Sequence, residues 1–485
     1  MDGKEGTIVA LSPLDNRMIP CWVKMLFYFS MPAEAKVPET YDILRKGLNM
    51  AVADMPICGG ITRPRPQDRP GWKPNQIEVY IPKDVGQDGT YPLDFKDLTS
   101  EISYEELRKD GFPMEAIDTK VLMTKSLNVD EAAGIQTTAA QANFVKGGCL
   151  LGLAMWHHTV DPYGTYIFAR NWASHCRKLQ TEQGWEEKWK QGLAAEKTSP
   201  QDDRMALERL WREEGGSETS VASDRHWDVV GLYPPSAKDA PKLDEVMARA
   251  YANIDPTKKV ACRMFSVPGT SFQQLKRDAI AGSGDADITA DDAIHALLWR
   301  CIMRVRYPEP GDELSEYQIA FNGRHKLAQG GLDSFLGDVS YFATAALPLA
   351  EVTAPSTSVG QLAQMLHKAM DSVSREDLLA GYGVVHNLPS YVNLQYNLAG
   401  IAGPTMVMVN HRHVPLAELD FGPALGSPDC ERPPGEEWND LFRRIIQLPN
   451  ASGDGLEVLV TLFDDEMKRL QEDQEFMKYA KLCSY

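Results

Sequence analysis

Long apolar runs are missing from this 485-residue chain. No stretch approaches the roughly 20 consecutive apolar residues that span a bilayer, so no membrane partner is expected. An excess of positive charge is missing too. Against 68 acidic residues stand 50 basic ones, a formal net charge of -18. That balance argues against nucleic acid or an anionic membrane surface as partner, because both select a basic patch. Cysteine is sparse and scattered, at positions 21, 58, 149, 176, 262, 301, 430 and 483, with no C-x-x-C pair. Such spacing fits neither a disulfide framework nor a zinc ribbon, and it suits a reducing, cytoplasmic setting. The first residues, Met1 to Gly6, lack the apolar core of a signal peptide. Cys483-Ser484-Tyr485 fits neither a prenylation box nor a peroxisomal signal. No Walker loop, dinucleotide fingerprint, G-x-S-x-G elbow or EF-hand loop occurs.

What is present is an ordinary globular composition, 43% apolar and 24% charged. The length favours two domains. Strand and helix patterns alternate along both halves, which predicts an α/β (α+β) fold. In the first half, Thr7 to Asp15 reads as a strand ending in a turn, and Val23 to Phe29 as a second strand. Thr40 to Met55 has helical periodicity, Gln76 to Ile81 is a strand, and Thr165 to Leu179 is a helix. Ala142-Asn143-Phe144 together with Gly147 to Trp156 is expected to form one strand. From about Thr181 to Pro241 the chain becomes charged, with Trp185, Trp189 and Trp211 interspersed, and then turn-rich. It reads as a long connection, helical at its start. The expected boundaries are 1–205, a connection over 206–240, and 241–485. The second half is expected to hold a helix at Leu243 to Ala252, a strand at Val260 to Ser266 and a helix at Ser271 to Ala281. Thr289 has the character of an N-cap for a helix reaching Arg304, with Asp291 and Asp292 in its first turn. Strands at Tyr317 to Phe321, Thr405 to Val409 and Leu456 to Leu462 complete it, before a charged helix.

The stretch richest in chemistry is Trp156-His157-His158-Thr159-Val160-Asp161-Pro162-Tyr163-Gly164. A buried-type strand delivers His157, and Pro162 and Gly164 force a turn. Histidine is the side chain best suited to accept a proton near neutral pH, so His157 is the candidate general base and Asp161 its orienting partner. A purely structural buried pair is the alternative. His158 would need an acid at position 162, which is Pro162, so it is assigned to packing or pocket lining. The same H-x-x-x-D spacing recurs at His367 to Asp371, but Leu362, Met365, Leu366 and Met370 mark that segment as an amphipathic helix without a site. Asp420-Phe421-Gly422-Pro423-Ala424 begins a tight irregular loop, for which a plain surface loop is the simpler reading. Arg324 follows a strand and can pair with a buried carboxylate such as Asp161, although taken alone a solvated charge is simpler. His411-Arg412-His413 lacks further ligands, and no metal is expected.

Together, His157-x-x-x-Asp161-x-x-Gly164 and Asp420-Phe421-Gly422 resemble the signatures of the BAHD acyltransferase superfamily, H-x-x-x-D and D-F-G-W-G. The closer resemblance is to its fungal branch, the trichothecene 3-O-acetyltransferase-like enzymes. It spans almost the whole chain, through Leu11 to Asp15, Leu44 to Gly60, Gln141 to Phe144, Asp291 to Arg300, Gly323-Arg324, Thr344 to Leu349 and Asp420 to Arg432. The resemblance implies two chloramphenicol-acetyltransferase-like domains with a tunnel at their interface. It implies an acyl-CoA-dependent O-acyltransferase, most simply an acetyltransferase, acting on a hydroxyl of a fungal secondary metabolite. Acetyl-CoA or another acyl-CoA would be co-substrate, with no permanently bound cofactor, and the protein would be a monomer. His157 would be the base, without a covalent intermediate, and Asp161 would point away from substrate, held by Arg324. Asp420 and Gly422 would form a signature loop, structural or catalytic. Pro423 and Ala424 depart from the usual Trp-Gly, and His158 stands where a small residue is common. Asn322 and Asp338 stand where the pattern has Asp and Asn. Asn410 and His411 occupy the Ser/Thr-Trp position, where an Asn amide can donate to an oxyanion. A condensation-domain-like or cyclising enzyme using the same tunnel is the alternative function.

Overall fold

The structure is a computed structural model. It describes residues 6–483 apart from 115–117, 124–133, 196–202, 218–221, 238–239, 241, 243, 246, 249–256, 330, 401–402, 413–414, 435–442 and 451–454. Two large sheets organise it. The five-stranded sheet has the order Cys430–Arg432, Trp22–Ser30, Gly148–Trp156, Thr138–Lys146, Asp94–Ser103. Its middle strand, Gly148–Trp156, is buried at all nine positions. Its apolar run is continuous because both faces are covered. On one face Met25, Phe27, Leu151 and Leu153 pack with Leu44 and Leu48 of helix Val37–Asp54 and with Phe168 and Trp172 of helix Pro162–Thr181. On the other, Leu26, Tyr28, Leu150 and Ala154 pack with Tyr104, Leu107 and Phe112.

The single strand expected over 142–156 is instead a hairpin. Thr138–Lys146 pairs antiparallel with Gly148–Trp156, Val145 opposite Gly148. Gly147 takes φ 80° in the turn, a conformation that favours glycine. The second sheet has seven strands in the order Ser340–Pro348, Leu314–Asn322, Thr405–Asn410, Ile445–Pro449, Leu456–Phe463, Val260–Val267, Lys481–Leu482. Helices Gly269–Ser283, Ala290–Arg306 and Val359–Ser372 cover one of its faces. The expected cap is present: Thr289 Oγ1 accepts the Asp292 N–H, and the Asp292 carboxylate accepts the Thr289 N–H. A small sheet of Gly6–Ala10, Ile61–Pro64, Ile77–Pro82 and Ile135–Gln136 completes the strand framework described here.

The stretch read as a connection is folded onto both cores. Helix Trp185–Ala195 places Trp189 against Met50 and Ala53, and helix Ala206–Glu213 buries Leu207 and Trp211 among Val229, Leu379 and Tyr382. The helix expected at 243–252 falls largely outside the described residues. The late strand Cys430–Arg432 returns to the first sheet, with Glu431 opposite Phe27. Arg432 then pairs with Glu457 of the second sheet at 2.8 Å, both side chains buried. Among the described residues no helix is long and apolar enough to cross a membrane.

Candidate active site

Strand Gly148–Trp156 ends one residue before His157, whose backbone N–H donates to the Cys21 carbonyl at 2.9 Å. The imidazole is half-buried, and its Nδ1 is shut inside the protein with no hydrogen-bond partner among the described residues. The chain then turns. The N–H and hydroxyl of Thr159 both donate to the Trp156 carbonyl, at 2.8 and 2.7 Å. Asp161 caps helix Pro162–Thr181, its Oδ1 accepting the Gly164 N–H at 2.8 Å, and Pro162 fills the first helical position.

The Asp161 carboxylate is fully engaged away from His157. Arg324 donates to it from both terminal nitrogens, at 2.7 and 3.1 Å, and the Val339 N–H donates at 3.1 Å. Arg324 also donates to the carbonyls of Phe335 and Gly337 and to the Asn322 side-chain oxygen. The solvated reading of Arg324 is therefore set aside: it is 2% exposed. Gly164 permits this docking, since a Cβ there would stand 2.1 Å from the Leu336 carbonyl oxygen.

Two further buried ion pairs lie beside the first. Arg17 donates to Asp338 at 2.6 Å, and Arg204 to Asp15 at 3.0 Å. They are joined by the Asp338 N–H, which donates to Asp15 at 2.8 Å. Burial pushes the Asp338 carboxyl above the ordinary carboxylate range, while the charges of Arg17 and His157 pull it back. Sequence reasoning quoted Asp15 and Asp338 but assigned neither to the site, and it passed over Arg17 and Arg204. The available signal was the Ser12-x-x-Asp15 capping box, which the structure forms in both directions.

His158 is buried, and its Nε2 lies 2.9 Å from the Met18 carbonyl, an acceptor only, so Nε2 carries the proton. Burial, and secondarily the charge of His157, push its pKa down to about 3. It is a neutral wall residue, its ring tilted 57° against that of Trp156 with centroids 5.5 Å apart.

The Asp420 loop lies far along helix Pro162–Thr181. Asp420 Oδ1 accepts the Gly422 N–H at 2.8 Å, and its other oxygen is 3.5 Å from Arg177. Gln180 clamps the loop, donating to the Phe421 carbonyl and accepting from the Ala424 N–H. Gly422 takes φ 84° over this helix end, where a Cβ would meet Gln180 at 2.5 Å. Helix rise is about 1.5 Å per residue, so the loop is roughly 20 Å up the helix from the His157 end. Asn410 ends strand Thr405–Asn410 and its side-chain oxygen accepts the Arg412 N–H at 2.9 Å. His411 Nδ1 is 3.0 Å from Glu431, both buried; His413 lies outside the described residues. His367 is on helix Val359–Ser372, its nitrogens paired with Asp292 and Asp371.

Residues 94–477 match the model of the Transferase family. The chain is 26% identical to acyltransferase cm3D of Cordyceps militaris, over 98% of this chain and 97% of that protein. It is 24% identical to the eremophilane O-acetyltransferase prx11 of Penicillium rubens, over 78% of each. It also matches the isocyanide synthase-NRPS hybrid crmA of Aspergillus fumigatus at 22% identity, over 94% of this chain but 30% of that protein. Among solved structures the fold is similar to F. sporotrichioides TRI101 complexed with coenzyme A and T-2, with a TM-score of 0.76 and 21% identity over 99% of this chain and 100% of that one. It is more distantly similar to the first condensation domain of the calcium-dependent antibiotic synthetase, TM-score 0.53, 13% identity, covering 98% of this chain and 96% of that one. By the extent of the family match, in a fold with two large sheets, the chain belongs to the Transferase family, that is, the BAHD acyltransferase superfamily.

Proposed function

We propose that the chain transfers an acyl group, acetyl in the first instance, from acyl-CoA to a hydroxyl of a fungal secondary metabolite. The observation that carries this reading is the division of labour within the motif: Asp161 is saturated by Gly164, Arg324 and Val339, while the His157 ring is left uncommitted at the end of a rigid strand. With Nδ1 enclosed, Nε2 is the nitrogen that takes the hydroxyl proton as the oxygen attacks the thioester carbon. The C–S bond breaks on collapse of the tetrahedral intermediate, and the proton passes from His157 to the departing thiolate. No bond to the enzyme forms. The Asn410 amide N–H, left over after its oxygen is taken by Arg412, is the proposed oxyanion donor.

Both substrates meet in a tunnel between residues 1–205 and 241–485, with 206–240 as the connection, and the protein acts as a monomer. Holding them together supplies rate by proximity. One cavity supports a phosphate-bearing donor. It has a volume of about 450 Å³, lies at the start of helix Gly269–Ser283, and is lined by Gly269, Thr270, Arg277 and Arg412. Among the described residues no side chain caps that helix, so its first N–H groups face the cavity, with Arg277, bonded to Gln274, and Arg412, paired with Asp291, beside them. The signature loop of Asp420 and Gly422 contributes shape.

A second reading, a carrier-protein thioester as donor, is favoured by the similarity to part of an NRPS hybrid and to a condensation domain. Calorimetric titration of the purified protein with acetyl-CoA and with free coenzyme A separates the two. Micromolar binding is expected. Absence of binding in folded protein would overturn the acyl-CoA reading in favour of the carrier-bound donor.

A further inference from the structure

Two phenol hydroxyls, those of Tyr341 and Tyr382, are enclosed without a hydrogen-bond partner among the described residues. Both side chains are at most 1% exposed. Other enclosed tyrosines are satisfied. Tyr91 donates to the Thr138 carbonyl at 2.7 Å, Tyr396 to the Arg17 carbonyl at 2.7 Å, and the Tyr317 oxygen is 2.8 Å from His295 Nδ1. A phenol taken out of water without a partner is costly, so two of them in one place call for a reason. Burial pushes both well above the ordinary tyrosine range. Each therefore keeps its proton and is a donor in search of an acceptor.

Contacts place Tyr341 beside the Asp161–Arg324 pair. It lies two residues past Val339, whose N–H holds Asp161 and whose carbonyl accepts the Gly323 N–H at 2.8 Å. Its ring covers Gly323, where a Cβ would stand 2.5 Å from it, directly before Arg324. Tyr382 comes from helix Arg375–His386, which packs on helix Pro13–Arg17. Both phenols belong to one apolar cluster with Leu14, Val339 and Leu388. That cluster also walls a cavity of about 450 Å³, lined by Trp211, Leu379, Gly383 and Leu388. The Trp211 ring separates it from Tyr382 only by the contact of the two rings, with centroids 5.9 Å apart. None of the residues lining the cavity at the start of helix Gly269–Ser283, assigned above to the phosphate-bearing donor, is in this cluster. The two hydroxyls therefore fall to the acceptor.

Building on the acyl-transfer reading, we propose that Tyr341 and Tyr382 determine acceptor specificity: their hydroxyls donate to a second oxygen function that the acceptor carries away from the hydroxyl being acylated. The acceptor is then an apolar alcohol with a further carbonyl, ether or hydroxyl oxygen, its body extending toward the Trp211 cavity. A site built to bond such an oxygen rejects the analogue without it, whereas a plain apolar pocket prefers the less polar analogue. The test uses the full chain and its Tyr341→Phe and Tyr382→Phe variants. Each protein, saturated with coenzyme A, is titrated calorimetrically with 1-octanol and 1,8-octanediol, and with 1-decanol and 1,10-decanediol. The wild type is expected to favour a diol over its monool by about tenfold, and each Phe variant to lose that preference. A urea titration supplies the readout that a structural role would move. Neither variant is expected to lower the unfolding midpoint, because neither removes a bond that the free protein makes. A wild type without diol preference overturns the proposal, and so does a lowered midpoint in both Phe variants, which would give the hydroxyls to buried water instead. Binding of acetyl-CoA by the wild type is measured alongside, and its failure overturns the acyl-transfer reading beneath.

Discussion

His157 and His158 are adjacent, yet their surroundings differ sharply. His158 is walled in and neutral, with its pKa pushed to about 3, whereas His157 keeps one face open. The sign of the consequence is definite. An unfolded histidine titrates near 6.5 and folded His158 near 3, so below pH 6.5 the unfolded chain binds the extra proton. Stability from this residue is complete above pH 6.5 and falls as pH drops toward 3, by up to roughly 1.4 kcal/mol per pH unit. His158→Gln should flatten the decline of urea midpoints between pH 6.5 and 4; an unchanged slope would count against it. Gly164→Ala should cost about 1–3 kcal/mol, because the clash is with the Leu336 backbone oxygen and a backbone yields less readily than a side chain. A urea titration reads the loss. At this scale the sequence was legible where the motif is local: Pro162 alone excluded His158 as its leading residue. It was opaque where partners are distant. Arg17 and Asp338 are separated by 321 positions and Arg204 and Asp15 by 189, and no local pattern pairs them.

Helix Pro162–Thr181 does two jobs at its two ends. Its N-cap, Asp161, fixes the loop that follows His157, and its last turns clamp the Phe421 loop through Gln180. Asp161→Asn keeps an oxygen for the Gly164 N–H but removes the charge that balances buried Arg324. The expected loss is about 3–5 kcal/mol, the usual result of stranding one member of a buried pair. Chemical denaturation measures it, and a loss under ~1 kcal/mol would show that the pair is not sustained in solution. Elements with strong periodicity were readable, including the Thr289 cap and the run Leu150 to Met155. The Lys146-Gly147 turn was not, since it lacks the Asn-Gly or Asp-Gly signal of tight hairpins. Strand Asp94–Ser103 was missed because it is an edge, largely exposed and polar, with no buried stripe to mark it.

At the scale of the molecule, the two large sheets are tied by a strand that crosses from one half to the other. Cys430–Arg432 pairs with Trp22–Ser30, and Arg432 reaches Glu457 on the second sheet and the carbonyls of Gly111 and Phe112 on the first half. Arg432→Ala should lower stability by about 3–5 kcal/mol by stranding Glu457. It should also weaken acetyl-CoA binding, because the seam it closes is where the tunnel is proposed. Unchanged binding in the folded variant would separate the seam from the donor site. The order of the two signatures made the fold legible from sequence, but the crossing strand was not, because three residues carry no periodicity. The central claim, that His157 moves the proton in acyl transfer, is tested most directly by coenzyme A release from acetyl-CoA over a panel of alcohols. Wild type and His157→Ala are compared, with calorimetric binding as the control. Turnover is expected to fall about 10²–10⁴-fold while acetyl-CoA binding and the unfolding midpoint stay unchanged. Turnover retained in a folded His157→Ala protein would contradict it.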